Sequence, residues 1–295
     1  MEQRREQLLP VLAVVTGHAI WGFSYLFTKV GLRYAAPEVL LSIRFLLAFF
    51  LMNLPLLAGR EKISLRGKPW KSLLALAVME PLYFYVESYA ILYTNATFVG
   101  VVLAVVPVFS ILLAAIFLRE YPTRRQVLFC LLPIAGVIII TISGSSLGIV
   151  TPIGLFLLLG TCLTSAGYKT INRRSAEAFT SFERTYFILL SSMLTFTFSA
   201  LLSSHGQLSA FAEPLRHPAF VLTILALSVL CSVAANILVN YAAGKMSVTE
   251  FSVYGTVTTI CSTFAGVIFL KEPLTFSTLA GSLLIIIGIR QVTKR

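Results

Sequence analysis

Residues 117–123 read FLREYPT and residues 269–275 read FLKEPLT, and each stretch lies between two long apolar runs. The same offset of 152 residues also superimposes Tyr89 on Tyr241. A match that extends so far beyond one charged loop indicates internal duplication. The second half of the chain is therefore predicted to be a copy of the first, with residues 1–146 as one unit and residues 147–295 as the other.

The composition places this chain in a membrane. Hydrophobic residues make up 57% of the chain and charged residues only 12%, and the mean hydropathy is +0.89. An ordinary water-soluble domain has about twice this charged fraction. We therefore expect an all-α integral membrane protein.

Apolar runs of roughly 20 residues, the length that spans a bilayer core, occur ten times along the chain. They are residues 8–31, 37–57, 71–92, 98–118, 124–144, 152–171, 182–202, 218–243, 248–270 and 276–292. The Gly- and Ser-containing link 143–151 divides them five and five. Because five is odd, the second unit is predicted to be inverted relative to the first, and such inverted repeats place a transport substrate between the halves.

The net charge of +11 could suggest a nucleic-acid surface, but its distribution along the chain argues against nucleic acid as a partner. If the N-terminus is cytoplasmic, most of the Lys and Arg residues fall in cytoplasmic segments, as the positive-inside rule requires. The opposite side holds only Lys29, Arg33, Arg216 and Lys271. We predict a multi-pass protein of the cell membrane with both termini in the cytoplasm.

Enzymatic motifs are absent from the sequence. All twelve acidic residues are glutamates, which removes Asp-rich magnesium motifs and Asp-containing triads. No phosphate-binding loop, zinc-protease motif or nucleophile elbow occurs. The four cysteines are predicted to be small buried apolar residues. We expect no enzyme activity, no cofactor and no metal.

Ionisable residues inside predicted spans are functional candidates because a charge at a helix centre costs about 2.5 to 3.5 kcal/mol. Glu80, Tyr83 and Glu87 have the spacing i, i+3, i+7 and share one face of the third span. The two carboxylates are candidates for proton coupling or for binding a cation. The alternative is that they are structural and form ion pairs with Arg44 or Lys169.

A polar stripe on the first span consists of His18, Trp21, Tyr25 and Lys29. Such a stripe is typical of a helix that lines a wet cavity, and the matching span of the second half carries Lys169. Alternatively, the aromatic residues pack between helices and His18 binds a neighbouring carbonyl. Lys29 is predicted to extend its ammonium to the membrane interface.

Three polar residues of the second half, Asn236, Asn240 and Tyr254, are further candidates for the cavity wall. They could instead form hydrogen bonds between helices, which are worth only about 0.6 kcal/mol each.

Trp21, Tyr25, Tyr83, Tyr85, Tyr89 and Tyr254, with the two glutamates, could form an aromatic cage for an ammonium group. Lys169 and Arg44 could hold a carboxylate or a phosphate. With both signs of charge available, a zwitterion such as an amino acid satisfies both sets.

Several short motifs give the chain a family resemblance. They are Asn95-Ala96-Thr97, Pro107, Gly136, Gly281, Gly288, Ala19-Ile20-Trp21-Gly22, Arg44-Phe45 and the two charged loops 117–120 and 269–272. In this order, and in two copies, they resemble the EamA branch of the drug/metabolite transporter superfamily. The resemblance implies ten helices around a central cavity, walled by the first, third, fourth, sixth, eighth and ninth spans, with alternating access.

The sequence thus favours a secondary transporter that exports small polar metabolites such as amino acids or amines, with protons as the candidate coupling ion. An importer of a quaternary amine such as choline is the alternative, and a membrane-embedded enzyme or assembly subunit acting on lipid is an alternative of another class. The predicted substrate-binding residues are His18, Trp21, Tyr25, Glu80, Tyr83, Glu87, Lys169, Asn236, Asn240 and Tyr254. Glu120 and Glu272, at helix ends, are predicted to stabilise the fold.

Overall fold

The structure is a computed structural model that describes residues 2–103, 105–117, 123–142, 151–246, 251, 254–272 and 274–293. All regular secondary structure in these residues is helical. The first half contains α1 (Glu2–Gly31), α2 (Pro37–Leu57), α3 (Trp70–Leu92), α4 (Ala96–Leu103), α5 (Val106–Phe117) and α6 (Arg124–Ile142). The all-α prediction is confirmed.

The second half begins with α7 (Pro152–Ser175) and α8 (Ser181–Ser203), followed by the short α9 (Ser209–Ala212) and a 3₁₀ turn (Pro214–Arg216). One long helix then consists of α10 (Pro218–Leu225), a π-helical segment (Ala226–Ala234) and α11 (Ala235–Ala243). The last helices are α12 (Gly255–Phe269) and α13 (Phe276–Thr293).

A helix lies within each apolar run of the sequence, and five stretches are long and apolar enough to cross a membrane on their own. They are Leu8–Gly31, Pro37–Leu57, Ala96–Phe117, Ser181–Ser203 and Pro218–Ala243. The chain is therefore a multi-pass membrane protein, while the full count of ten spans stays a prediction. Of the remaining helices, α3 and α7 carry Glu80, Glu87 and Lys169, which lower the mean hydropathy of otherwise apolar sequence.

Helix ends are fixed by side-chain caps. Thr180 and Glu183 form a reciprocal capping box at the start of α8, which satisfies backbone N–H groups that have no partner within the helix. The carboxylate of Glu272 accepts hydrogen bonds from the backbone N–H groups of Ala96 and Thr97 at 3.0 and 2.9 Å. Glu272 therefore stabilises the start of α4, as predicted; Glu120 lies outside the described residues.

Helix packing follows a pattern that is unchanged when the two halves are exchanged. The second helices of the halves, α2 and α8, pack against each other, as do the last helices, α6 and α13, and the fourth helices, α4 and α12. The third helix of each half packs against the first helix of the other, α3 against α7 and α11 against α1. These contacts bring α1, α3, α4, α7, α11 and α12 around one interior space.

The fourth span is interrupted where it reaches this interior. α4 ends at Leu103, and α5 begins at Val106 after a turn at Val105. In the ninth span, a turn residue, Tyr254, comes before Gly255, the first residue of α12. Helices broken near the middle of a membrane are typical of binding sites, because their ends place unpaired backbone groups beside the ligand.

Close packing of α1 against α12 depends on a glycine. A Cβ on Gly22 would lie 2.8 Å from the carbonyl oxygen of Thr258, a distance that real Cβ atoms essentially never show. Small residues at helix contacts let backbones approach closely in membranes. Gly22 thereby brings the polar side of α12 within hydrogen-bond reach of His18.

Candidate functional site

The interior holds a cavity, and its walls come from the spans that the family resemblance implies. Of the predicted site residues, those that line it are His18, Trp21, Tyr25, Glu80, Tyr83, Glu87 and Lys169. Residues predicted from three separate spans thus meet in one space.

On the α1 wall, His18 is held by α12. Its Nδ1 lies 2.9 Å from the hydroxyl of Thr258, and that hydroxyl donates to the backbone carbonyl of His18 at 3.1 Å. A threonine hydroxyl has a single proton, so Nδ1 must be the donor to Thr258. The neutral ring then has its lone pair on Nε2, a buried atom that has no partner among the described residues.

Trp21 lies one turn further along α1 and contacts the π-helical segment. Its indole Nε1 donates to the carbonyl of Cys231 at 3.1 Å, and its ring meets that of His18 edge-on, with the centroids 5.4 Å apart. A π-helix changes the pairing of backbone groups and is frequent at functional sites. Here the carbonyl of Cys231, in the π-helical segment, orients the Trp21 ring in the cavity wall.

The α3 wall is acidic. The hydroxyl of Tyr83 donates a short hydrogen bond to Glu87, whereas Glu80 forms no hydrogen bond with the described residues. Both carboxylates are almost completely buried, at 3% and 2% exposure. Tyr25 lies beside Tyr83 and Glu87 and completes this wall.

The other two tyrosines of the proposed aromatic cage contact a different partner. Tyr85 and Tyr89 both donate hydrogen bonds to Glu38, at the start of α2. They lie on the neighbouring faces of α3 and do not line the cavity. The cage prediction was therefore wrong for these two residues, because Glu38 offers them a buried acceptor.

Arg44 lies behind the acidic wall and does not line the cavity. Its guanidinium packs 4.5 Å from the centre of the Phe84 ring, and Phe84 is the side chain that faces the cavity. Its Nε donates to the hydroxyl of Ser232 in the π-helical segment at 2.8 Å. Arg44 thus connects α2, α3 and the π-helical segment.

The structural alternative for the glutamates, ion pairing with Arg44 or Lys169, is not what the described residues show. The ion pairs among them join Lys68 to Glu183 and Arg216 to Glu213. Among the described residues, the charged groups of the cavity wall therefore form no ion pairs with one another.

Lys169, on α7, presents the cationic side of the cavity. Its side chain is 7% exposed, and its Nζ lies 5.7 Å from the centre of the Phe251 ring. Within the described part of the chain, this ammonium has neither a hydrogen bond nor an ion pair.

The remaining predicted site residues, Asn236, Asn240 and Tyr254, do not line the cavity. Asn236 donates to the carbonyl of Ser232 at 3.0 Å, within its own helix. Tyr254 packs against a small apolar cluster that includes Val239. These residues fit the alternative of contacts within and between helices.

Asn240 belongs to a hydrogen-bond network that we call the α7–α8–α11 network: Tyr168, Asn172, Arg184, Thr185 and Asn240. Asn240 accepts from Tyr168 at 3.0 Å and from Asn172 at 2.6 Å, and it donates to Thr185 at 2.7 Å. Arg184 donates to the carbonyls of Asn172 and Asn240 at 3.1 and 2.6 Å. Since Tyr168 also lines the cavity, the network supports the cavity from behind.

Lys29, in the last turn of α1, binds the end of α3, and its position at the membrane interface stays a prediction. Its Nζ donates to the carbonyls of Ile91 and Thr94, at 2.8 and 2.5 Å. The last carbonyls of a helix have no partner within it, and a lysine is a favourable cap there. Lys29 therefore fixes the C-terminal end of α3, the helix that carries both glutamates.

Several lining residues were outside the predicted set: Ser24, Phe84, Gly100, Leu103, Val106, Ser165, Tyr168, Val239, Phe251, Gly255 and Thr258. The sequence did carry a signal for Tyr168 and Thr258, which lie on the polar stripes of their spans. Phe251 and Gly255 carried none, because each is ordinary in an apolar helix.

Comparisons with known proteins agree with this architecture. The profile of the EamA-like transporter family matches residues 8–142 and again residues 152–293. A crystal structure described only as "Crystal structure of protein" shares the fold, with a TM-score of 0.67 at 18% identity over 96% of this chain and 95% of that one. The molecule is therefore a membrane transport protein rather than an enzyme.

Relatives from bacteria and archaea bear the same class of name. "Uncharacterized transporter YcxC" of Bacillus subtilis (strain 168) is 32% identical over 290 residues, which cover 97% of this chain and 93% of that protein. An "Uncharacterized transporter" of Archaeoglobus fulgidus is 24% identical over 93% of this chain and 95% of its own length. The chain belongs to the EamA-like transporter family.

Proposed function

We propose that the protein is a secondary transporter that exports small polar metabolites, such as amino acids or amines, by alternating access. The observation that carries the proposal is a cavity inside the membrane lined by two carboxylates on α3 and by an ammonium on α7, without ion pairs between them. The proposal includes ten membrane spans in two inverted units, residues 1–146 and 147–295, and both termini on the cytoplasmic side of the cell membrane.

The energetic argument starts from the insertion cost. Each charge at a helix centre costs about 2.5 to 3.5 kcal/mol, and a fold that needed these groups only for stability would pair them with each other. Glu80 and Lys169 line the same cavity, but neither has a hydrogen bond or an ion pair with any residue that the structure describes. Such groups are explained by a ligand or by ions that the cavity takes up during transport.

Glu80 and Glu87 are our candidates for proton coupling. They lie two turns apart on the same face of α3, and Glu87 is already bonded to Tyr83. A carboxyl in an apolar wall binds a proton more readily than one in water. Alternate exposure of such groups to the two sides of a membrane would couple proton movement to substrate movement.

The packing pattern supports the inverted repeat. In each half, the third helix packs against the first helix of the other half: α3 against α7, and α11 against α1. The interrupted fourth span and the start of α12 both border the cavity, as in transporters whose broken helices face the substrate.

The first test is ligand-dependent thermal stability of the purified protein in detergent, with amino acids, quaternary amines, organic phosphates and nucleotide sugars as probes. A ligand at about 100 times its Kd adds roughly 2.7 kcal/mol of stability. Stabilisation by amino acids or amines that is lost in Glu87→Gln supports the proposal. Stabilisation by phosphates or nucleotide sugars alone contradicts it.

The second test measures transport in proteoliposomes with and without a pH gradient. Glu80→Gln and Glu87→Gln are expected to reduce uptake of the stabilising ligand and to remove its dependence on the gradient. Glu177→Gln is the matched control, since Glu177 is an exposed residue just after α7. Unchanged uptake and unchanged pH dependence in both cavity variants would exclude the coupling role.

A quaternary amine such as choline is the second candidate substrate, with import as its direction. Trp21, Tyr25 and Tyr83 line the same cavity as Glu87, and aromatic faces attract quaternary ammonium groups. Competition by choline but not by its neutral analogue 3,3-dimethylbutanol, lost in Tyr83→Ala, would favour this substrate. Equal competition by both compounds would exclude it.

A further inference from the structure

We infer that one end of the cavity is an oxyanion subsite, formed by the ammonium of Lys169 and the N-terminal turn of α12. It binds the carboxylate of a zwitterionic substrate. This inference rests on the proposed transport function and names the chemical group that the cavity recognises.

The first observation is the isolation of Lys169. Its side chain is more than nine-tenths buried, its Nζ borders the cavity, and no acceptor among the described residues binds it. The cation–π contact with Phe251, at 5.7 Å, is close to the limit of about 6 Å for such interactions. A buried ammonium with three donors and no acceptor is complete only when an anion binds.

The second observation is the position of the α12 N-terminus. Gly255 is its first residue and lines the cavity. A Cβ on Gly255 would lie 3.8 Å from the Nζ of Lys169, so the ammonium lies directly beside the first turn. The N-terminal end of a helix carries a partial positive charge and free N–H groups.

Two positive features at one desolvated place repel each other unless an anion lies between them. Helix N-termini are anion sites when a ligand is present, and an ammonium adds a charge-assisted hydrogen bond. The absence of a side chain at Gly255 leaves the ligand access to the backbone of α12.

Another part of the cavity wall offers groups that can bind the ammonium of the ligand. Glu80, Glu87 and the rings of Trp21 and Tyr25 face the cavity from α3 and α1. A substrate with its carboxylate at α12 can place its ammonium toward this wall. The cavity is thus predicted to prefer free amino acids over their amides and over the amines that lack the carboxylate.

The experiment compares matched ligands on the purified full-length protein. The probes are leucine, leucinamide and isoamylamine; phenylalanine, phenylalaninamide and phenethylamine; and phosphoethanolamine, to distinguish phosphate from carboxylate. Binding is measured by thermal stabilisation and transport by counterflow in proteoliposomes. The variants are Lys169→Gln, Lys169→Arg and Gly255→Ala, with Lys71→Gln as the control because Lys71 is exposed at the start of α3.

We expect the wild type to bind an amino acid at least about tenfold more tightly than its amide, the size of effect that one strong polar contact gives. Lys169→Gln should abolish this preference, Lys169→Arg should retain part of it, and Gly255→Ala should weaken the acid but not the amine. Preferred binding of phosphoethanolamine, lost in Lys169→Gln, would retain an oxyanion subsite at Lys169 but overturn carboxylate as the group that it binds.

Equal binding of acid, amide and amine by the wild type would overturn the subsite while the transport function stood. An unchanged acid preference in Lys169→Gln would do the same. If Lys169→Gln does not fold, two other results test the subsite: the ratio of the wild-type affinities for an amino acid and its amide, and the effect of Gly255→Ala on the affinity for the amino acid. No binding and no transport of any probe by the wild type would overturn both the subsite and the proposed function.

Discussion

The α7–α8–α11 network and the cavity wall are two groups of buried polar side chains in the same membrane interior, and they differ in one respect. In the network, each polar atom of Asn172, Arg184 and Asn240 has a partner among the described residues. In the cavity wall, Glu80, Lys169 and Nε2 of His18 have none.

This difference separates stability from function. Buried polar groups with partners hold helices in register, and their loss leaves other groups unsatisfied. A buried charge without a partner lowers the stability of the fold, and where it also lines a cavity it is a candidate for a group that a ligand or an ion completes. We therefore expect substitutions in the network to lower the free energy of unfolding, and substitutions in the cavity wall to weaken ligand binding.

The largest effect is expected from Arg184→Met, which removes the donors to Asn172 and Asn240. Each unsatisfied buried group costs about 1 to 3 kcal/mol, so the free energy of unfolding should fall by about 3 kcal/mol or more. The measurement is chemical unfolding in detergent. Arg174→Met is the control, because Arg174 is exposed on α7. Equal stability of the two variants would show that the network does not hold the helices.

The reverse change is expected from Lys169→Met. Removing an unpaired charge from the membrane interior should raise the free energy of unfolding by up to about 3 kcal/mol while substrate binding is lost. Thermal unfolding and ligand stabilisation, measured on the same preparation, test both parts. A destabilised variant would show that Lys169 has a structural partner, which would remove the contrast between the two regions.

A smaller effect is expected from Glu272→Ala, which removes the acceptor for Ala96 and Thr97 at the start of α4. Loss of a helix cap costs about 0.5 to 2 kcal/mol, and binding should change little because Glu272 does not line the cavity. Glu177→Ala is the control. Unfolding measurements that show no difference between the two variants would contradict the capping role.

The smallest change in stability is expected at His18. In His18→Asn the side-chain amide can still donate to Thr258 in place of Nδ1, so the free energy of unfolding should change by less than about 1 kcal/mol. The Nε2 acceptor is lost, and substrate affinity should fall about tenfold. His18→Gln, which places its terminal group near Nε2, should retain more affinity than His18→Asn. The opposite order would indicate that His18 acts only through Thr258.

The sequence predicts the cavity best where helical spacing alone decides the geometry. Glu80, Tyr83 and Glu87 share a face at i, i+3 and i+7, and all three reach the cavity. Tyr85 and Tyr89, on neighbouring faces, bind Glu38 instead, because the choice depends on which helix packs against that face. Helical spacing shows which residues share a face, but it does not show which helix packs against that face.

The same limit explains why predictions for the second half of the chain were less accurate. Asn236 and Asn240 share a face at i, i+4, yet Asn240 turns toward Arg184 and Tyr168, which lie far away in the sequence. The sequence did not predict that Lys29 caps α3, because the end of that helix lies beside Lys29 only in the folded protein. Gly255 begins α12 without a proline or a polar cap that would mark a helix start.

The π-helical segment Ala226–Ala234 has a consequence for how this protein tolerates insertions and deletions. A π-helix holds one more residue in each turn than an α-helix does, so removal of a single residue from it would rotate α10 relative to α11. The register between Ser228 and Ser232, which bind Arg44, and Asn240, which binds Thr185, would then change. The length of this stretch, as much as its chemistry, links the α2–α3 side of the molecule to the α7–α8 side.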